Sequence, residues 1–225
     1  IGYAPADAVR AAQVPGIERV RLGSLEADTL TDEEIQRLKA CDKLCPHFHL
    51  SLQSGSDSVL RRMKRRYTCA EYMALVGKLR EAFPGCAITT DIMVGFPGET
   101  DEEFAESMAF AEKAGFAKIH VFPYSIRKGT VAAMRANQVV PHVKSARAKQ
   151  MNALADRLEK RFLESQVGTV QTVLIEKRTS PDYCNGFTGS YIPVRIYGEN
   201  IQRHSLVQVK LTSAEGTYCA GTTIF

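Results

Sequence analysis

The stretch ITTDIMVGFPGETDEEF, residues 88–104, decides the fold. Its first seven residues are mostly β-branched or apolar, as a half-buried or buried strand requires. Gly95-Phe96-Pro97-Gly98 then breaks the run in the manner of a turn. Thr100 and Glu103 follow with the spacing of a capping box. The hydroxyl accepts from an orphan N–H of the first helical turn, and the carboxylate reaches back to the N–H of the cap. Strand, turn and capped helix in that order make half of a βαβ unit.

The same order recurs on both sides. Arg19–Leu22, Phe48–Leu52 and Ile119–Phe122 are further short strand-like runs, and helical patterns fill 30–40, 57–82 and 100–115. Two more capping boxes pair Thr31 with Glu34 and Thr68 with Glu71. Alternation of this kind predicts right-handed βα units around a parallel sheet. Each strand runs into a polar or glycine-rich cluster: Gly23–Glu26, Gln53–Asp57, Gly95–Glu99 and Pro123–Arg127. In parallel α/β folds the carboxyl ends of the strands share one rim, and ligands bind there. Four clusters on one rim predict a site, although Gly95–Gly98 by itself would be read as an ordinary turn.

From Pro141 to about Ser165 one long helix is expected, because Met151, Leu154, Ala155, Leu158 and Phe162 recur at spacings of three and four. Gly168 ends it. Five short strands are then expected at Thr169–Lys177, Gly186–Ile192, Val194–Tyr197, Ser205–Leu211 and Tyr218–Thr222. That density of strands predicts a small closed barrel of the oligonucleotide-binding type. The domains are therefore an α/β unit over 1–140, a linking helix over 141–167 and an all-β barrel over 168–225.

With 225 residues, 44% of them hydrophobic and 24% charged, the chain is excluded from the disordered, collagen-like and disulfide mini-protein classes. No run approaches the roughly 18 apolar residues of a membrane helix, so no membrane partner is expected. The six scattered cysteines read as reduced thiols of a cytoplasmic protein. Cys41-x3-Cys45, followed by His47 and His49, has metal-like spacing, but no second pair completes a zinc set, and a structural pair of thiols is the better reading. His47 and His49 alternate along a strand and share a face with each other. No metal site is assigned. Residues 1–143 balance 18 basic against 18 acidic side chains, 144–167 carry six against three, and 168–225 carry five against four. The excess lies in the linking helix and beyond, which points to a polyanionic partner on that side.

Four strings follow one another in order: RLGSLE (21–26), CPHFHLSLQSGSDSVLRRMKRRYT (45–68), the stretch 88–104, and HVFPYSIRKGTVAA (120–133). Together they resemble the radical S-adenosylmethionine methylthiotransferases, from about residue 15 to the end. Within that family the strings are most similar to the branch acting on N6-threonylcarbamoyladenosine in tRNA. The resemblance implies strands three to six of a six-stranded partial barrel, followed by a TRAM domain, with residues 1–14 as the tail of the preceding helix. It implies S-adenosylmethionine and two [4Fe–4S] clusters in the parent protein. Phe48 stands where a third cysteine of the radical-generating motif would follow Cys45, so no cluster is expected on this chain. The chain begins with Ile1, and it is expected to be a fragment that is not catalytically competent alone.

The resemblance also assigns roles. Glu26, Gln53, Ser54, Gly95, Phe96, Pro97 and Glu99 are candidates for contacting S-adenosylmethionine. Arg65, Arg66, Ser125, Arg127, Lys177, Arg178 and Arg195 are candidates for contacting the tRNA anticodon stem-loop, with weak binding shared between the barrel and the helix from Lys144 to Arg161. A missing N-terminal part of the same protein is the other expected partner. A barrel without its first two strands leaves an exposed edge, so self-association through that edge is expected. The alternatives are an RNA-binding module without chemistry, a sister enzyme acting on isopentenyladenosine, and a metal-free barrel lyase.

Overall fold

The computed structural model describes residues 5–180, 182–198 and 201–224. Four parallel strands form one sheet in chain order: β1 (Ser24–Leu25), β2 (His47–Leu50), β3 (Ala87–Val94) and β4 (Lys118–Pro123). The connecting helices are α2 (Asp32–Lys39), α3 (Asp57–Arg62), α4 (Cys69–Ala82) and α5 (Asp101–Ala114), preceded by α1 (Pro5–Ala12). Period-two alternation sorts the strand residues. Phe48, Leu50, Ile88 and Ile92 point to the helix side and are almost completely buried with Tyr72, Leu79 and Phe116. The intervening positions carry His47, His49, Thr89 and His120.

All three capping boxes are present, at the starts of α2, α4 and α5. The pattern over 57–82 is two helices rather than one. α3 stops at Arg62, Lys64 takes a left-handed φ of 63°, and Thr68 caps a new helix. Arg19–Leu22 is also corrected. Only Val20 bridges, to Leu44, and the ladder with β2 forms further on, Ser24 opposite His49 and Leu25 opposite Leu50.

α6 (Pro141–Gln166) runs back along the sheet and joins two cores. Met151, Leu154, Ala155 and Leu158 belong to the sheet core, whereas Leu163 is buried with Val173, Ile175 and Val209 in the second domain. That domain is a closed five-stranded barrel in the order β5-β6-β7-β9-β8. Its strands are β5 (Val170–Arg178), β6 (Tyr183–Thr188), β7 (Pro193–Tyr197), β8 (Leu206–Glu215) and β9 (Tyr218–Thr223). The expected strand Gly186–Ile192 is shifted, because β6 ends at Thr188 and residues 189–191 turn. Gly186 fits this closure, since a Cβ there would collide with the Leu174 carbonyl oxygen of β5.

Candidate functional site

The carboxyl ends of β1–β4 do form one rim. Glu26, just past β1, is exposed, and its carboxylate accepts from Arg65 at 2.8 and 3.0 Å. Gln53, past β2, has a left-handed φ of 71°. Its N–H donates to the Asp91 carbonyl at 2.8 Å and its carbonyl accepts from the Met93 N–H at 2.9 Å, which fixes its backbone to β3. Its side-chain amide has no protein partner among the described residues. Ser54 is fully buried, with its hydroxyl 3.1 Å from that of Ser107 on α5.

Past β3, the Glu99 carboxylate accepts the Gly95 N–H at 2.8 Å and pairs with Arg147 of α6 at 2.7 Å. Arg147 also donates to Asp101 at 2.7 Å. Burial pushes the Glu99 carboxyl up from the ordinary range, and the Gly95 N–H and the guanidinium pull against that. Gly95 has a φ of 71°, and a Cβ on it would collide with the side-chain carbons of Lys144. The Gly95 end of this loop therefore packs against α6, and its Gly98 end against Asn137, whose carbonyl accepts the Gly98 N–H at 2.8 Å. Pro97 is buried and Phe96 meets Tyr124 edge-on at 5.4 Å. The Tyr124 hydroxyl is buried without a hydrogen-bond partner. Ser125 and Arg127, past β4, are exposed, as is Arg66 in the turn after α3.

The remaining candidates are elsewhere. Lys177, Asn185 and Arg195 form one row across β5, β6 and β7, with Arg178 opposite Cys184 beside it. The Arg195 guanidinium lies between two rings, 4.5 Å from the centre of Tyr183 and 4.4 Å from that of Tyr218, and donates to the Tyr218 hydroxyl at 2.9 Å. Rim and barrel are attached to opposite ends of α6. At about 1.5 Å per residue that helix is about 39 Å long. The structure thus brings the rim residues together and leaves the barrel residues as a separate group.

The sheet holds a cluster that sequence reasoning missed. His47 and His49 do share a face, but they share it with Thr89, Asp91 and His120 from the neighbouring strands. The two ring nitrogens of His49 are 2.9 Å from the Thr89 hydroxyl and 3.3 Å from Asp91. The available signal was alternation along three adjacent strands, which becomes useful only once strand order is known.

The rim fits part of S-adenosylmethionine. A free amide on Gln53 and an orphaned Tyr124 hydroxyl beside Phe96 suit a ligand with a ribose and a flat base. An iron–sulfur cluster does not fit the described residues. Cys45 is buried, burial pushes its thiol up, and Phe48 is packed in the sheet core. No group of His, Cys, Asp and Glu among the described residues is placed to hold a metal ion.

The sequence profile of the radical SAM superfamily matches residues 6–111. A threonylcarbamoyladenosine tRNA methylthiotransferase of Bacillus subtilis is 39% identical over 213 residues, 93% of this chain and 47% of its own length. A tRNA-2-methylthio-N(6)-dimethylallyladenosine synthase of Symbiobacterium thermophilum is 39% identical over 206 residues, 91% and 44% of the two chains. The chain belongs to the radical S-adenosylmethionine methylthiotransferase family. It spans about half the length of the curated family members it matches. In fold, it is similar to the radical SAM enzyme coproporphyrinogen III oxidase of Escherichia coli, with a TM-score of 0.53 at 17% identity over 76% of this chain and 44% of that one. No helix among the described residues is long and apolar enough to cross a membrane.

Proposed function

We propose that the chain is the cofactor-rim and RNA-binding portion of a cytoplasmic enzyme that methylthiolates C2 of N6-threonylcarbamoyladenosine beside the tRNA anticodon. The observation that carries this reading is the match, across more than nine-tenths of the chain, to tRNA methylthiotransferases. Both substrate branches match at 39% identity, so the threonylcarbamoyl choice rests on the strings 47–57, 88–100 and 118–130. The carboxylate of that group suits the exposed Arg127 guanidinium. S-adenosylmethionine supplies the methyl group when bound. Gln53 and the backbone of Gly95–Pro97 would hold its ribose and adenine, with the Phe96 and Tyr124 rings behind them. Arg147 keeps the loop in place through Glu99. Alone, the chain is expected to bind without turnover, because its residues do not fit a cluster.

The second domain supports the RNA half of the proposal. A closed five-stranded barrel with a Tyr183–Arg195–Tyr218 stack and a cationic row resembles the TRAM domain expected from the sequence. Rings and guanidinium planes of this kind hold unpaired bases by stacking. Titration with S-adenosylmethionine, followed by calorimetry and by the backbone amides of Gln53 and Gly95, tests the cofactor half. Binding at millimolar strength or better with shifts at both amides is expected. Silence at both with RNA binding retained would leave an RNA-binding module instead.

A further inference from the structure

A cleft lies at the amino ends of β2–β4, between the sheet, the last turns of α6 and the β6–β7 turn. It encloses about 560 Å³, a volume typical of small-molecule sites. Its walls are mainly apolar, with Phe162 and Phe187 among them and a few polar groups converging from the sheet. This end of the strands is opposite the glycine-rich rim, and the inference stands on the cleft alone, independent of the reaction proposed above.

Three observations point to a ligand. First, Tyr191 adopts a left-handed φ of 63° in the β6–β7 turn, where glycine or asparagine is the usual occupant and a bulky ring is an outlier. Its ring stacks on Phe187, 4.6 Å between centres and 14° between planes. Second, the Arg21 guanidinium lies over the same ring, 3.7 Å from its centre. Arg21 has no carboxylate partner among the described residues, whereas Lys118 and Glu159, in the same wall, pair at 3.2 Å. Third, His47 is 7% exposed, and its Nδ1 is buried with no hydrogen-bond partner. Burial lowers the His47 pKa to about 4, so its imidazole is neutral at physiological pH and lines the cleft with one ring nitrogen unpaired. Leaving such an atom unpaired costs about 1–3 kcal/mol.

A stacked guanidinium still presents its N–H groups in plane, so it carries a flat ring on its open face and binds an anion at its edge. We infer that the cleft holds a single nucleotide, with its base against Arg21 and the aromatic wall and its phosphate on the Arg21 edge. The same chemistry is found in a free nucleoside monophosphate and in an unstacked nucleotide of an RNA strand. The Phe187–Tyr191–Arg21 stack is assembled from both domains, so an occupied cleft also fixes the barrel against the sheet.

The test uses the whole chain and the carbon-bound protons of its five histidine rings, titrated with AMP, adenosine and the trinucleotide ApApA. AMP is expected to shift His47 and His120 and leave His142 and His204, which lie outside the cleft, in place. Adenosine, lacking the phosphate, is expected to bind about tenfold weaker or worse, and Arg21→Met to lose AMP by a similar factor. Tyr191→Asn suits the left-handed backbone, so it is expected to keep the native amide spectrum and still lose AMP binding about tenfold. Tighter binding of ApApA than of AMP assigns the cleft to RNA, and equal binding assigns it to a free nucleotide. No imidazole shift with either phosphate ligand at millimolar concentration overturns the inference. So does an Arg21→Met chain that binds AMP as the parent does.

Discussion

Glu103 serves two neighbours at once. Its carboxylate closes the capping box of α5 by accepting the Thr100 N–H at 3.0 Å, and it takes a forked contact from Arg62 at 2.8 and 2.5 Å. That guanidinium, chiefly, holds the Glu103 carboxyl down at about 2. Both side chains are largely buried, at 25% and 13% exposure, so solvent screens the pair only in part. A carboxyl depressed in the folded state stabilises the fold above its unfolded pKa, and that gain is lost as pH falls through the folded value. The window is therefore from the ordinary glutamate value of 4.5 down to about 2, and the contribution above it is on the order of 2–3 kcal/mol. Glu103→Gln keeps the box, because glutamine also fills that position, and removes the charge. The variant is expected to be less stable in urea at neutral pH and to converge with the parent in strong acid. A gap that stays constant with pH would place the loss elsewhere. The three capping boxes were readable because each involves residues three apart, whereas the Arg62–Glu103 pair spans two helices and was not.

α6 shows how much of an element a local pattern reveals. Its apolar spacing gave the helix, its extent and its buried face. The pattern could not tell that Leu158 and Leu163 serve different cores, since that depends on where the barrel closes. Leu163→Ala is expected to cost about 2–5 kcal/mol of barrel stability, with amide protection lost in β5–β9 and retained in β2–β4. Leu154→Ala should do the reverse. Equal losses in both domains from either variant would mean that the two cores unfold as one unit. The elements that were misread failed for similar reasons. The 57–82 pattern ran through a turn because apolar residues continue across it, although Thr68 and Glu71 already marked a second helix start. Arg19–Leu22 has strand-like residues, but only Val20 finds a partner, so sheet pairing overrode propensity. At β6 the apolar Tyr191 and Ile192 masked a turn that a non-glycine residue occupies at positive φ.

Across the whole molecule, the rim was readable because four strands end in similar clusters, and its separation from the barrel residues followed from the linking helix between them, whereas the face shared by His47, His49 and His120 needed the strand order. Net charge along the chain misleads in a related way. Of the six cations in 144–167, Arg147 is buried on Glu99 and Asp101, Arg157 and Arg161 both hold Glu112, Lys160 faces Glu164, and Lys144 donates to the Tyr124 carbonyl. The helix therefore has little charge left for a phosphate backbone, and tRNA binding should depend on the barrel row. Lys177→Ala, Arg178→Ala and Arg195→Ala together are expected to weaken binding of an anticodon stem-loop. They should also flatten the dependence of affinity on salt, by about one unit of slope or less for each phosphate no longer neutralised. Lys149→Ala, on the helix, should change neither. The Arg195 guanidinium is held between Tyr183 and Tyr218. Arg195→Lys should thus keep most of the salt slope while losing affinity, as a lysine cannot replace the planar stack. Filter binding at two salt concentrations measures both quantities. A triple variant that binds as the parent does, with the same slope, would move the RNA surface off this row.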